Sequence, residues 1–404
     1  MSTTTISHEQ AVGQAPKEGL ITDESIVEAR KMIGLQLRPE GPYLRDATDD
    51  TIRNWSNGIG DLNPLYREIG HADGSRFGGI VAHPMFPMAY GWIGRTRWGL
   101  PGVHGFYAGN DWELFRHVRP GDRLTAVERV VGVEEKDSKF SGRLVLQYVE
   151  GSYFNQRGEL VARALGTCTR HERKAARDAG KYADITAYEY SDDEYDAIHD
   201  AIMGEQANIR GENPRYWEDV TVGEELPSIV RGPLSLMDTM GFLVGSGRGH
   251  TNGVIYQAAM KHPGHFFRNP EAGGGIEYTG IGHHRDSVAK AVGVPGTYDY
   301  GPQRSSWVAS LVTNWMGDAA FLKRIRTQMR RFNTMGDTTW CKGMVTRKYI
   351  KDGHALVDLE VWGENQRGEI TTPGIATVIL PSRDVNIRPF LDGANLDLEL
   401  PVVR

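Results

Sequence analysis

A few side chains in two short stretches have the types and spacing to move protons. Asp61 and Asn63 stand together in Trp55-Ser56-Asn57-Gly58-Ile59-Gly60-Asp61-Leu62-Asn63-Pro64-Leu65-Tyr66, and His83 follows in Gly79-Ile80-Val81-Ala82-His83-Pro84-Met85. A carboxylate and an imidazole facing one water can take a proton from it and deliver one elsewhere, in either direction. An Asn beside the carboxylate orients the water or the base. Taken alone, Asp61-Leu62-Asn63-Pro64 also fits an Asx turn closing a loop. His83 fits a helix N-terminal residue equally well, and it is the succession of the two stretches that favours chemistry. Tyr66 is a weaker acid in the first stretch, and His283 and His284 lie in a Gly-rich loop much further along.

The elements that must position these groups come in two copies. Asn155-Gln156-Arg157-Gly158-Glu159-Leu160 returns as Asn365-Gln366-Arg367-Gly368-Glu369-Ile370, each between alternating apolar runs, which is a hairpin signature. Pro120-Gly121-Asp122 returns as Met335-Gly336-Asp337 before a second strand-like run, and the acidic segment 49–61 resembles 237–249. These ordered pairs predict a duplication, with an insertion around 250–282 in the second copy. Each copy is expected to hold one apolar helix, over 84–97 and 302–323, where Pro84 and Pro302 suit a first helical turn. Met85, Met88, Trp92, Trp307 and Trp315 fall on these helices as core. Strands around a long apolar helix make an α+β arrangement. The charged, Ala-rich stretch between the copies reads as a linker with one surface helix in Ser191–Met203.

The bulk properties narrow the function. A chain of 404 residues suits two or three domains, and its 49 glycines point to many tight turns. With Lys+Arg 46 against Asp+Glu 52 the net charge is −6, which speaks against nucleic acid as the partner. Cys168 and Cys341 form neither a disulfide framework nor a metal spacing, so no metal is expected. The absence of a signal peptide and of a long apolar run predicts a cytoplasmic protein with no membrane association.

The two stretches around Asp61 and His83 resemble the signature of the MaoC-like, (R)-specific enoyl-CoA hydratases, S-G-D-x-N-P-x-H followed by A-H-G-M. The matching positions are Gly60, Asp61, Asn63 and Pro64, then Ala82, His83 and Met85. The resemblance implies a double hotdog, two antiparallel sheets each wrapped around a long apolar helix. Its expected extents are 25–172 for the first hotdog, 173–212 for the linker, 213–382 for the second hotdog and 383–404 for a tail. It implies a hydro-lyase that adds water to a trans-2-enoyl-CoA thioester, giving a 3-hydroxyacyl-CoA, with no cofactor beyond that acyl-CoA substrate and with a homodimer as the expected assembly. Hydration needs a base for water, an acid for the α-carbon and N–H donors for the thioester oxygen, and the helix starts near Pro84 or Pro302 offer such donors.

The family's second catalytic residue is a His at the position of Tyr66. The imidazole must then come from His284 or His283 across the halves, or from His83, unless Tyr66 replaces it. The second half has no acid matching Asp61, its Gly247-Arg248 or Arg248-Gly249 standing there, and its A-H-G-M site reads Tyr298-Asp299-Tyr300-Gly301. Arg95, Arg97, Lys323 and Arg326, which follow the apolar helices, are candidates for the CoA phosphates. Phe266, Phe267, Tyr256 and Tyr278 of the insertion are candidates for lining, capping or narrowing the acyl space. Two other readings stay open: a hotdog acyl-CoA thioesterase using Asp61 alone, and a non-catalytic acyl-CoA-binding subunit that needs a partner with an intact dyad.

Overall fold

Alternating apolar and polar residues build the strands, and the two Asn-Gln-Arg-Gly turns fold them back on each other. The computed structural model describes residues 12–37, 43–93, 99–182, 185–393, 396 and 398. The strands are β1 (Gln36–Leu37), β2 (His104–Leu114), β3 (Thr125–Ser138), β4 (Gly142–Phe154), β5 (Leu160–His171), β6 (Ile229–Arg231), β7 (Phe266–Asn269), β8 (Gly275–Tyr278), β9 (Phe321–Gln328), β10 (Thr339–Lys351), β11 (His354–Asn365) and β12 (Ile370–Leu380). All but β7 and β8 form one sheet in the order β1-β3-β4-β5-β2-β9-β12-β11-β10-β6. Reading inward from either edge gives the same sequence of elements, so the halves are related by a pseudo-twofold axis at the β2–β9 seam. The expected two sheets are therefore one continuous sheet. Both of its edges are short strands, the form least open to further pairing.

The duplication holds at the level of single hydrogen bonds. Asn155 Oδ1 accepts the Arg157 and Glu159 N–H groups, and Asn365 Oδ1 accepts those of Arg367 and Glu369. Gly158 and Gly368 close these turns at φ 74° and 72°, a region open to glycine without a Cβ penalty. Asp122 accepts from Arg119 N–H and Asp337 from Thr334 N–H, so both Gly-Asp pairs are turn structure.

Helices Asp49–Ile59 and Leu236–Gly245 also correspond. Each starts with a capping box, at Thr48 and Ser235. They cross on Gly58 and Gly245, where a Cβ on Gly245 would lie 2.5 Å from Asn54 O. Around this crossing Phe242 meets Trp55 edge to face at 5.9 Å and stacks on Trp92 at 5.3 Å.

The expected helices differ from the observed ones. Gly301–Met316 is a buried helix, but it stops at Gly317 (φ 75°) instead of reaching 323, and Phe321–Lys323 belong to β9. In the first half only the 3-10 turn Phe86–Ala89 forms among the described residues of 84–97. Pro87 has no N–H to return to His83 O, as an α-helix would require, and Phe86 N–H makes the tighter bond to that carbonyl. Met85, Met88, Trp92, Trp307 and Trp315 are all buried.

The linker holds two helices, Arg173–Ala179 and Asp192–Asn208, and the second is not a surface helix throughout, because Ile198 and Glu205 are buried. The insertion adds helix Asn252–Lys261 and the β7–β8 hairpin. The tail folds back over both halves, where Phe390 stacks on Phe321 of β9 at 3.7 Å and Asp392 meets His117 at 2.7 Å. No helix among the described residues is long and apolar enough to cross a membrane.

Candidate active site

Asp61 is placed by the end of its helix. Gly60 adopts φ 68°, and the Asp61 N–H returns to Ser56 O at 2.9 Å. Asp61 Oδ1 accepts the Asn63 N–H at 2.7 Å, an Asx turn that aims the other carboxylate oxygen. That oxygen, Oδ2, is buried without a hydrogen-bond partner and lies 3.7 Å from His83 Nε2. The Asn63 side chain accepts from Leu65 N–H at 3.0 Å. Asn63 thus orients the base through its backbone, while its amide caps the turn Pro64–Tyr66.

His83 is 1% exposed. Its Nδ1 accepts the Met85 N–H at 3.1 Å, and its Nε2 lies 3.4 Å from Ser310 Oγ on the helix of the second half. Burial is the main cause that lowers its pKa to about 4, with Arg231 acting the same way and Asp61 opposing. A neutral imidazole whose Nδ1 accepts must carry its proton on Nε2. The site therefore presents a buried carboxylate oxygen and a buried imidazole N–H at a separation too long for a direct hydrogen bond.

Tyr66 packs edge to face on His83, ring centroids 5.5 Å apart. Burial, with the Asp61 and Asp318 charges nearby, holds its phenol well above the ordinary range, and it bonds with Thr313. Tyr66, His83 and Asp318 line a narrow cleft of about 30 Å³ whose apolar wall includes Leu65, Val81 and Phe321. The helix start expected near Pro84 supplies no donor here: Pro84 lacks an N–H, and the next one is spent on His83.

Two groups here were not legible in the sequence. Arg231 on β6 forms a two-pronged pair with Glu205 from the linker helix, at 2.5 and 2.9 Å, while its buried Nε is unpartnered. A Cβ on Gly60 would lie 3.5 Å from that Nε, so the cation stands directly behind Asp61. Asn314 completes the group by donating to Glu205 at 3.2 Å. At the cleft mouth, Arg76 and Arg119 both stand over the Phe77 ring, at 5.2 and 5.3 Å, beside Arg116 and His117. Nothing in local spacing ties these residues together.

The other sequence candidates go elsewhere. Lys323 is fully buried, paired with Glu113 at 3.4 Å and donating to Leu114 O at 2.9 Å. It clamps the β2–β9 seam and is closed to a phosphate. Arg326 lies on β9 and lines neither the cleft nor the second cavity described below. Arg95 and Arg97 lie outside the described residues. His284 packs toward Tyr300 at 6.0 Å, so the pairing of Asp61 with His284 is not the one the fold makes. The insertion's Phe266, Phe267, Tyr256 and Tyr278 line neither cavity.

Hydrogen bonds also fix which residues of the second half correspond. Gly247 (φ 73°) ends its helix as Gly60 does, and Arg248 N–H returns to Leu243 O, so Arg248 stands where Asp61 stands. Ala82 N–H reaches Val118 O and Asp299 N–H reaches Asn333 O, which matches His83 with Tyr300. The expected reading of that site was thus one residue out of step: Ala82–Met85 matches Asp299–Pro302. Ala72 and Ala289 match likewise, through Glu68 O and Arg285 O, which places His283 opposite Tyr66. The first half carries Tyr66 and His83, the second His283 and Tyr300, the same pair exchanged. Its rings stack at 3.8 Å.

Residues 38–164 match the model of the FAS1-like dehydratase domain region. Among solved structures, a MaoC-like dehydratase superposes with TM-score 0.58 at 16% identity, over 88% of this chain and 99% of that one. A MaoC domain protein dehydratase from Chloroflexus aurantiacus gives 0.56 at 15% identity, over 87% and 96%. A Mycobacterium tuberculosis protein described as a double hotdog gives 0.53 at 10%, over 86% and 96%. No curated protein matches the sequence. The chain has the double hotdog fold of the MaoC-like dehydratases.

Proposed function

We propose that this double hotdog is a hydro-lyase that adds water to a trans-2-enoyl-CoA thioester, or removes it from the (R)-3-hydroxyacyl-CoA, at Asp61 and His83. The observation that carries the reading is the buried, unpartnered Asp61 Oδ2 facing His83 Nε2 across 3.7 Å behind a single cleft. Water held between them donates a proton to Asp61 as its oxygen bonds to Cβ. The π electrons shift to the thioester oxygen, and Asp61 then returns the proton to Cα on the same face. Atoms and charge balance with one carboxylate. His83 Nε2–H holds the water oxygen and is not itself deprotonated. The Tyr66 hydroxyl is the neutral donor on the cleft wall for the developing oxyanion. Arg76, Arg116 and Arg119 at the mouth suit the phosphates of CoA.

Hydration of a graded series of trans-2-enoyl-CoA thioesters, followed by loss of enoyl absorbance, tests this. Asp61→Asn is expected to remove activity by about 10²–10⁴-fold without unfolding the chain. Release of free CoA with the enoyl absorbance unchanged would make the protein a thioesterase. Binding without either reaction would make it a subunit that needs a catalytic partner.

A further inference from the structure

The second half has lost its acid and kept a cavity. A space of about 260 Å³ opens where β2 begins and β9 ends. His283, Asp299 and Tyr300 stand in it as Tyr66, Ala82 and His83 stand in the first cleft. Tyr107 bounds this cavity and Leu114 the other, so at about 3.3 Å per strand residue the two lie roughly 20 Å apart. No carboxylate here is free for proton transfer. Arg248 holds the place of Asp61, and both oxygens of Asp299 are engaged by Arg304.

What remains is suited to binding. Phe106, Phe140, Tyr182, Tyr298 and Phe332 form a continuous aromatic wall with centroids 5.0 to 6.3 Å apart, surfaces that favour a planar ring. In that wall His171 is 2% exposed and neither ring nitrogen has a partner. Burial first, then Arg170 and Arg173, lower its pKa to about 3 and keep it neutral, with one N–H to donate.

The charge behind the wall is positive. Buried Arg170 is held by Gln147 and the carbonyls of Leu100 and Val103, with no carboxylate. Arg173 Nε is unpartnered, and the acid that acts on it, Glu18, is half exposed and sits beside Arg177. Arg330 and Arg331 edge the cavity, the second paired with Glu369. The buried helix Gly301–Met316 also begins here, adding its positive end.

We propose that this cavity is a second, non-catalytic site for a planar aromatic carboxylate, with its ring against the aromatic wall and its carboxylate toward His171 and the arginine side. Calorimetric titration of the full chain with 2-naphthoate, 2-naphthylmethanol and 2-naphthylmethylamine tests it. Naphthoate should bind once per chain, about tenfold tighter than the alcohol, and the amine should not bind. His171→Phe should weaken naphthoate about tenfold, while Asp61→Asn leaves it unchanged. If His171→Phe melts early, Arg330→Gln on the exposed rim should still weaken binding about threefold. Equal binding of the amine, loss of naphthoate binding in Asp61→Asn, or wild-type affinity in the folded cavity variants would each overturn the proposal.

Discussion

Met85 donates its backbone N–H to His83 Nδ1 at 3.1 Å, and this bond decides what the imidazole can do. It fixes the proton on Nε2 and opposes a second proton on Nδ1, where two N–H groups would face each other. His83 is therefore a hydrogen-bond donor to the reacting water, and Asp61 alone shuttles the proton.

The pH profile of kcat/KM should reflect this. An imidazole acting as acid or base at its ordinary value would give a limb near 6.5. Here activity should hold through that value and fall only near pH 4, where His83 protonates. A limb near 6.5 would show His83 cycling as imidazolium. His83→Gln, which keeps a donor, should retain more activity than His83→Phe.

Stability should fall in acid for a related reason. Burial depresses His83 to about 4 and His171 and His283 to about 3. Between 6.5 and these values the unfolded chain binds protons that the folded chain does not, so stability rises with pH across that window. It is complete above pH 6.5 and lost as pH drops toward 3. Thermal melts from pH 7.5 to 4 should show a steadily falling Tm, and His171→Phe should flatten the slope.

The pair behind Asp61 should be strongly coupled. Glu205→Ala leaves the Arg231 guanidinium buried and uncompensated, at an expected cost of about 3–5 kcal/mol. Glu205→Leu combined with Arg231→Met should recover much of that stability, yet lower kcat, because Asp61 loses the cation behind it. Chemical denaturation and kinetics on the same three proteins separate the two effects.

The helix crossing should be intolerant of side chains. A Cβ on Gly245 would stand 2.5 Å from Asn54 O and 2.9 Å from Gly58 Cα, both backbone and unable to swing aside. Gly245→Ala should cost about 1–3 kcal/mol. It should also reduce kcat, since the displaced helix ends at Gly60 and carries Asp61. A variant with native Tm and native kcat would count against that linkage.

Much of this was written in local sequence. The duplication, the two Asn-Gln-Arg-Gly hairpins and the Gly-Asp turns depend on a few adjacent residues whose turn chemistry is fixed by Asn, Asp and Gly. The Asx turn at Asp61 and the buried Met and Trp positions were legible for the same reason. Which imidazole meets Asp61 was not, because His83, His283 and His284 are all eligible, with His284 the most economical choice, until the strands bring His83 within reach. The fate of 84–97 turned on the single missing N–H of Pro87, which outweighed the apolar pattern. Lys323 was a candidate for the CoA phosphates and became a buried clamp once the helix ended at Gly317 and β9 met β2. Glu205 and Arg231 met behind Asp61 only through packing of the linker helix on β6. Turns are short-range and legible, whereas the burial of a charge and the partner of a proton-transfer group are properties of contacts between residues distant in the chain.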